Sequence, residues 1–304
     1  MASLAEAAPA PAPAPAPNDR YIKPTHSYVD PTSQYHAFVN SPSPKGHQTV
    51  SSYEAAQPPA DPSLPLVKPS LASEISKGVL RKKLAKMRHL CVPRAVNPAY
   101  LDSIFPQVLR LFQPQAVRYN GGVANVRDWR LSCYLEVMDG GVPCTNPHLP
   151  LLDVLLPTLD ACDAMFVHWY AQQHACNRAA LERGERRTEP YKVKRVMTFV
   201  TRYTAYPNES ALLKHVDGAG KVDGSVVLAL PTDRWSGPPE EMSFEGHGGG
   251  LTFWDGSPVP SKQQEVHYDT RSGDVGFIDK AVWHQADPIT KGTRWALVIF
   301  YEVK

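Results

Sequence analysis

The sequence predicts an α+β protein in three parts: a proline-rich tail, a helical support region and an all-β C-terminal part built as a sandwich or jelly roll. Three observations carry that prediction. Of 30 prolines in 304 residues, 14 fall within the first 70. Apolar residues then recur at helical spacing, and beyond residue 190 they gather into short β-branched or aromatic runs separated by Gly, Pro and Asp. The boundaries read as 1–70, 71–190 and 191–304.

The tail combines Pro, Ala and Ser with few large aliphatics, and five of its prolines alternate with alanine from Pro9 to Pro17. Such a segment buries too little surface to offset the entropy of ordering, so it is expected to be disordered or polyproline-like. Residues 59–65 hold two overlapping PxxP spacings, which offer a ligand for a Pro-binding module.

Helical spacing starts at Ile75 and continues through Val79, Leu80, Leu84 and Met87, with Ser70 or Ser73 available as a cap and Pro93 as a stop. The other face carries Lys77, Arg81, Lys82, Lys83, Lys86 and Arg88, a run read as a solvated basic surface. A short helix is expected over 99–112 and a strand over 130–138. The longest helix follows, with Leu155, Leu159, Cys162, Phe166 and Trp169 forming a buried stripe. His168 and His174 lie on or near that stripe and read as core or surface residues.

The roughly 234 residues after the tail suit one domain. No stretch approaches the 18 apolar residues of a membrane span, and no basic n-region precedes an apolar one. Five cysteines without a CxxC pair point to reduced thiols. Together these predict a soluble cytoplasmic protein, with the nucleus as the alternative. The net charge of +2 conceals an asymmetry, because residues 71–127 carry 10 basic and 2 acidic side chains whereas 128–304 carry 18 and 23.

Chemistry concentrates in the β part. In Lys214-His215-Val216-Asp217-Gly218 an extended chain would project His215 and Asp217 to one side, where an imidazole and a carboxylate can share a metal. His284 lies 69 positions later, far enough for strands to cross and return. Two histidines and a carboxylate on one face of an iron(II) leave its other positions open. A second copy, His267-Tyr268-Asp269, stands too close to His284 for such a triad and reads as structural. Ten residues beyond His284 comes Arg294, at the start of an apolar strand. A permanent charge there is expensive unless it meets an anion.

This order of HxD, a Gly-Gly strand (Gly249-Gly250-Leu251), a Gly-Asp turn (Gly273-Asp274), a histidine and a basic residue ten further on resembles the iron(II)/2-oxoglutarate-dependent dioxygenases. Their prolyl 4-hydroxylase-like branch is the nearest likeness, over roughly residues 195–301. The resemblance implies a double-stranded β-helix with iron on His215, Asp217 and His284, and 2-oxoglutarate held by Arg294. Tyr203 resembles the family's tyrosine that also touches the co-substrate, and Tyr206 is its rival.

What the resemblance implies in turn is hydroxylation of an unactivated C–H bond, coupled to oxidative decarboxylation of 2-oxoglutarate to succinate and CO2. O2 is the second co-substrate, and ascorbate enters as a reductant. Arg294 stands where collagen-type prolyl hydroxylases have lysine, and Trp295-Ala296 follows it rather than the X-Ser of many plant oxygenases, so neither subgroup is assigned. The carboxylate of Asp217 argues against a halogenase. A protein prolyl or other side chain leads as substrate, followed by a free amino acid or small metabolite. The basic segment has no interleaved aromatics for stacking, which argues against nucleic acid. A degenerate jelly roll that acts as a scaffold through its tail is the rival of another class. Residues 233–250, with Arg234, Trp235 and Glu240, read as a lid over the substrate.

Overall fold

The computed structural model describes residues 65–112, 132–136, 149–174, 191–204, 211–217, 222–231, 250–289 and 293–304. Its strands are β1 (His89–Val92), β2 (Ser132–Glu136), β3 (Val193–Thr204), β4 (Leu212–His215), β5 (Gly224–Ala229), β6 (Leu251–Asp255), β7 (Gln264–Tyr268), β8 (Val275–Asp279), β9 (Trp283–Ala286) and β10 (Thr293–Val303). They form two antiparallel sheets, ordered β1-β8-β5-β10-β3-β2 and β4-β9-β6-β7.

Set aside β1 and β2, which flank the larger sheet, and the chain from β3 onward passes back and forth between two four-stranded sheets, staying on one only for the paired β6 and β7. The larger takes β3, β5, β8 and β10; the smaller takes β4, β6, β7 and β9. This is the jelly roll that the strand pattern predicts, the double-stranded β-helix that the resemblance implies.

Alternation along β10 builds the layers. Ala296, Val298 and Phe300 point between the sheets, where they join Val227, Phe253 and Ile278. Trp295, Leu297, Ile299 and Tyr301 point the other way, into a core shared with the helices. Those helices are α1 (Leu71–Leu84), α2 (Pro98–Leu111) and α3 (Leu149–His174). The whole predicted α3 stripe is buried. Trp169 stacks on Phe277 at 5.6 Å and Phe166 on Tyr301 at 4.2 Å. Asp163 ties α3 to the sheet, accepting from the Tyr301 hydroxyl at 2.8 Å and from Arg195 at 3.0 Å. No helix among the described residues is long and apolar enough to cross a membrane.

Three expectations change. The first helix ends at Leu84 instead of running past Met87, because Lys86 adopts φ 59° and His89–Val92 is taken up as an edge strand against β8. Pairing with an existing sheet edge outweighs helical periodicity here. The basic face is partly spent on structure: Lys83 Nζ donates to the Gln172 carbonyl at the C-terminal end of α3, and Lys82 reaches inward to Tyr268. Finally, residues 65–70 belong to the fold rather than to the tail. Val67 bridges Val96, and the Leu66 carbonyl accepts from the Asn97 amide at 2.9 Å. The PxxP segment, apart from Pro65, and the rest of the tail lie outside the described residues.

Candidate metal centre

His215 and His284 are register partners across β4 and β9, and Phe253 of β6 pairs with His284 on the other side. Direct cross-strand partners share a face, so both imidazoles point inward from the smaller sheet with their ring centroids 4.3 Å apart. Between Leu212 and His215 the register slips, Leu213 and Lys214 of β4 lying opposite Gln285 of β9 alone. Such irregularities re-aim side chains next to functional sites. The chain leaves β4 after His215, so the extended geometry expected through Asp217 stops two residues early. Asp217 nevertheless reaches the same point. One donor atom each from His215, Asp217 and His284 lies within 4.8 Å of the others.

The hydrogen bonds fix which atoms face that point. His215 Nδ1 donates to the Leu213 carbonyl at 2.7 Å, and His284 Nδ1 donates to the Val282 carbonyl at 3.1 Å. A carbonyl can only accept, so each ring keeps a hydrogen on Nδ1, and in the neutral form its lone pair lies on Nε2, facing the shared point. His215 Nε2 stands 3.4 Å from Asp217 Oδ1, and His284 Nε2 stands 3.5 Å from Oδ2. Burial pushes His284 down to about 4, against the pull of Asp217, and the ring is neutral at pH 7. Burial would raise the Asp217 carboxyl, but both imidazoles and the Ser225 hydroxyl outweigh it and hold it at about 2. Two imidazole nitrogens and a carboxylate thus converge on one point. A cation fits that donor set, and the nitrogen and oxygen atoms suit a divalent first-row metal.

The second half of the site lies on the larger sheet. Arg294 opens β10, points inward with Ala296 and Val298, and is 3% exposed. Its register partner on β3 is Tyr203, whose ring lies 5.4 Å from the guanidinium carbon. Burial presses the guanidinium's pKa down, opposed by Tyr203 and Asp287. Arg294 Nε and Nη2 are buried and find no hydrogen-bond partner among the described residues. A charge so placed is costly until an acceptor arrives. Tyr203 packs against Ala286, two residues past His284, and against Ile289 and Leu212. The arginine and the triad therefore share one end of the roll.

The other candidates separate cleanly. His267 points away from the triad, bonding Asp287 Oδ2 at 2.9 Å, while Asp269 approaches Arg271 at 3.7 Å. His168 bonds Ser76, and His174 stacks on Tyr170. Gly250 enters β6 at φ 99°, where a Cβ would stand 2.2 Å from the Tyr268 carbonyl oxygen, so the second glycine of the Gly-Gly pair is required by close strand approach. Tyr206 and nearly all of the 233–250 segment lie outside the described residues.

Two features escaped sequence reasoning. One is Ser225 on β5, whose hydroxyl donates to Asp217 Oδ2. A lone hydroxyl in the fully buried strand Gly224–Ala229 was the available signal. The other is a buried pair, His89 Nδ1 to Asp255 Oδ2 at 2.9 Å, which no local pattern marks.

No protein-family model matches the chain, and no curated protein matches it. Similar solved structures include the non-heme alpha ketoglutarate dependent epimerase SnoN from nogalamycin biosynthesis, at 14% identity and TM-score 0.48 over 75% of this chain and 82% of that one. A Pseudomonas putida prolyl-4-hydroxylase is similar at 13% identity and TM-score 0.42, over 79% of this chain and 98% of that one. A Trichoplax adhaerens prolyl hydroxylase, solved with a hypoxia inducible factor peptide fragment, is similar at 16% identity and TM-score 0.45, over 76% and 90%. At such identities these likenesses assign no residue a role.

Proposed function

We propose that the chain is an iron(II)- and 2-oxoglutarate-dependent oxygenase of the hydroxylating kind. The observation that carries this reading is the convergence of two Nε2 lone pairs and a carboxylate on one point, at the end of the roll where a buried guanidinium lacks acceptors. His215, Asp217 and His284 hold the metal. Bound iron supplies the O2 chemistry, coupling decarboxylation of 2-oxoglutarate to succinate and CO2 with insertion of one oxygen atom into a C–H bond.

The protein's own share is binding and orientation. Arg294 offers paired N–H donors to the far carboxylate of 2-oxoglutarate, which a planar fork suits better than a point charge. Tyr203 lies beside the guanidinium and contributes its ring to the same pocket wall. The Nδ1–H bonds to Leu213 and Val282 keep both Nε2 atoms aimed inward. Phe253, wholly buried and next to His284, keeps water from the inner side of the centre.

For the substrate we carry forward a protein side chain, a prolyl ring first, on the resemblance of motif order alone. A free amino acid or small metabolite is the alternative. The test is succinate formation from 2-oxoglutarate with Fe(II) and O2, screened against peptide and amino-acid pools and read as a 16 Da gain in the product, the mass of about one oxygen atom. His215→Ala and Arg294→Ala should abolish turnover. Unchanged turnover and metal content in both variants would refute the site.

A further inference from the structure

Strand β5 crosses the middle of the larger sheet with every residue buried. Its side chains alternate, Val226 and Leu228 facing the helical core and Val227 facing the space between the sheets. Ser225 falls on the inward row with Val227 and is fully buried. A hydroxyl at that depth is unfavourable unless it bonds, and it bonds to Asp217 Oδ2, two residues beyond the end of β4 of the opposite sheet. The two oxygens of Asp217 are thereby made unequal. Each oxygen faces one imidazole, Oδ1 the Nε2 of His215 at 3.4 Å and Oδ2 that of His284 at 3.5 Å, but only Oδ2 also accepts the serine hydrogen bond.

We propose that Ser225 is a positioning residue for the metal centre, pinning Asp217 Oδ2 to the larger sheet so that the carboxylate meets the cation as a one-oxygen donor through Oδ1. The proposal rests on the reading of His215, Asp217 and His284 as metal ligands. Its physical content is orientation. Asp217 follows the end of β4 and lacks a strand ladder of its own, so without the serine its carboxylate is free to rotate about its side-chain torsions. A rotated carboxylate either misses the metal or takes it with both oxygens, and the second case removes a coordination position that a chelating co-substrate needs. Loss of a hydrogen bond that orients a ligand typically weakens metal affinity by about 10- to 100-fold.

Cobalt(II) is the probe, added without 2-oxoglutarate to the full-length metal-free protein and followed through its visible d–d absorption. Four proteins are compared: the unaltered chain, Ser225→Ala, Val227→Ala and His215→Ala. Ser225→Ala removes one oxygen and leaves the packing, so it is expected to fold and to bind cobalt at least about 10-fold more weakly, with an altered band intensity. Val227→Ala disturbs the same inward row without touching Asp217, and its affinity should match the unaltered chain. Equal weakening in Ser225→Ala and Val227→Ala would overturn the proposal by reducing the effect to packing. Cobalt binding by Ser225→Ala with normal affinity and spectrum would overturn it while loss of binding in His215→Ala left the metal reading standing. Normal binding by His215→Ala would overturn the metal reading, and the role of Ser225 with it.

Discussion

Arg294 is a charge placed where folding alone gains nothing from it. Its guanidinium is buried, two of its nitrogens lack acceptors among the described residues, and burial already weighs against its charged form. Replacing an uncompensated buried charge with an apolar side chain of similar length is commonly neutral or stabilising. Arg294→Met is therefore expected to leave the melting temperature of the metal-free protein unchanged or raised. The same change should weaken 2-oxoglutarate binding to the manganese-loaded protein about 100-fold, within the 2–5 kcal/mol typical of a lost buried charge pair. Differential scanning fluorimetry and titration calorimetry read the two halves separately. A large drop in melting temperature with unaltered 2-oxoglutarate affinity would make Arg294 a structural residue. At this scale the sequence was most legible, because a permanent charge at the head of an apolar strand is anomalous in one dimension. Ser225 was less so, since nothing local ties a serine to a carboxylate eight positions earlier across two sheets.

The decisive element is α3, which presses its apolar stripe on the outer face of the larger sheet. Trp169 lies against Phe277 of β8, and Phe166 against Tyr301 of β10. Removing a fully buried tryptophan costs about 3–5 kcal/mol in transfer and cavity terms. Trp169→Ala should lower the unfolding free energy measured in urea by that much, while the fraction that remains folded binds metal normally, because the triad lies between the sheets and α3 on the other side of the larger one. Weakened cobalt affinity per folded molecule would show that the helix shapes the site. The stripe was readable from its steps of 4, 3, 4 and 3 residues. The end of α1 was not, since Met87 continues the helical period and only pairing with β8 converts His89–Val92 to strand.

For the whole molecule the consequence is acid sensitivity. Burial pushes His89 below its ordinary 6.5, with Asp255 opposing, so the folded state prefers the neutral ring. The unfolded chain takes up that proton below about pH 6.5, and stability is lost as the pH falls through this range. His284, pushed down to about 4, acts in the same direction. Asp255 is also lowered: burial would raise it, but His89 and the Arg88 and Gly256 amides prevail, so its contribution is present above its ordinary 3.8 and is lost below it. Urea midpoints of the metal-free protein should therefore be highest near pH 7.5 and fall steadily toward pH 4.5. His89→Phe should flatten the upper part of that slope. A midpoint independent of pH between 7.5 and 5 would refute the linkage.

The sequence by itself determined the fold class, helices with an antiparallel roll, and the amphipathic stripe of α3. Those properties are written in local composition and in periods of two and 3.6 residues. Only the tertiary structure decided that His215 and His284 become register partners and that Asp217 reaches them from beyond the end of β4. It alone brought Ser225 from the opposite sheet to the carboxylate and made β1 a strand. Each of these depends on which segments meet across 8 to 189 positions of chain, and the closing of two sheets on each other settles that globally.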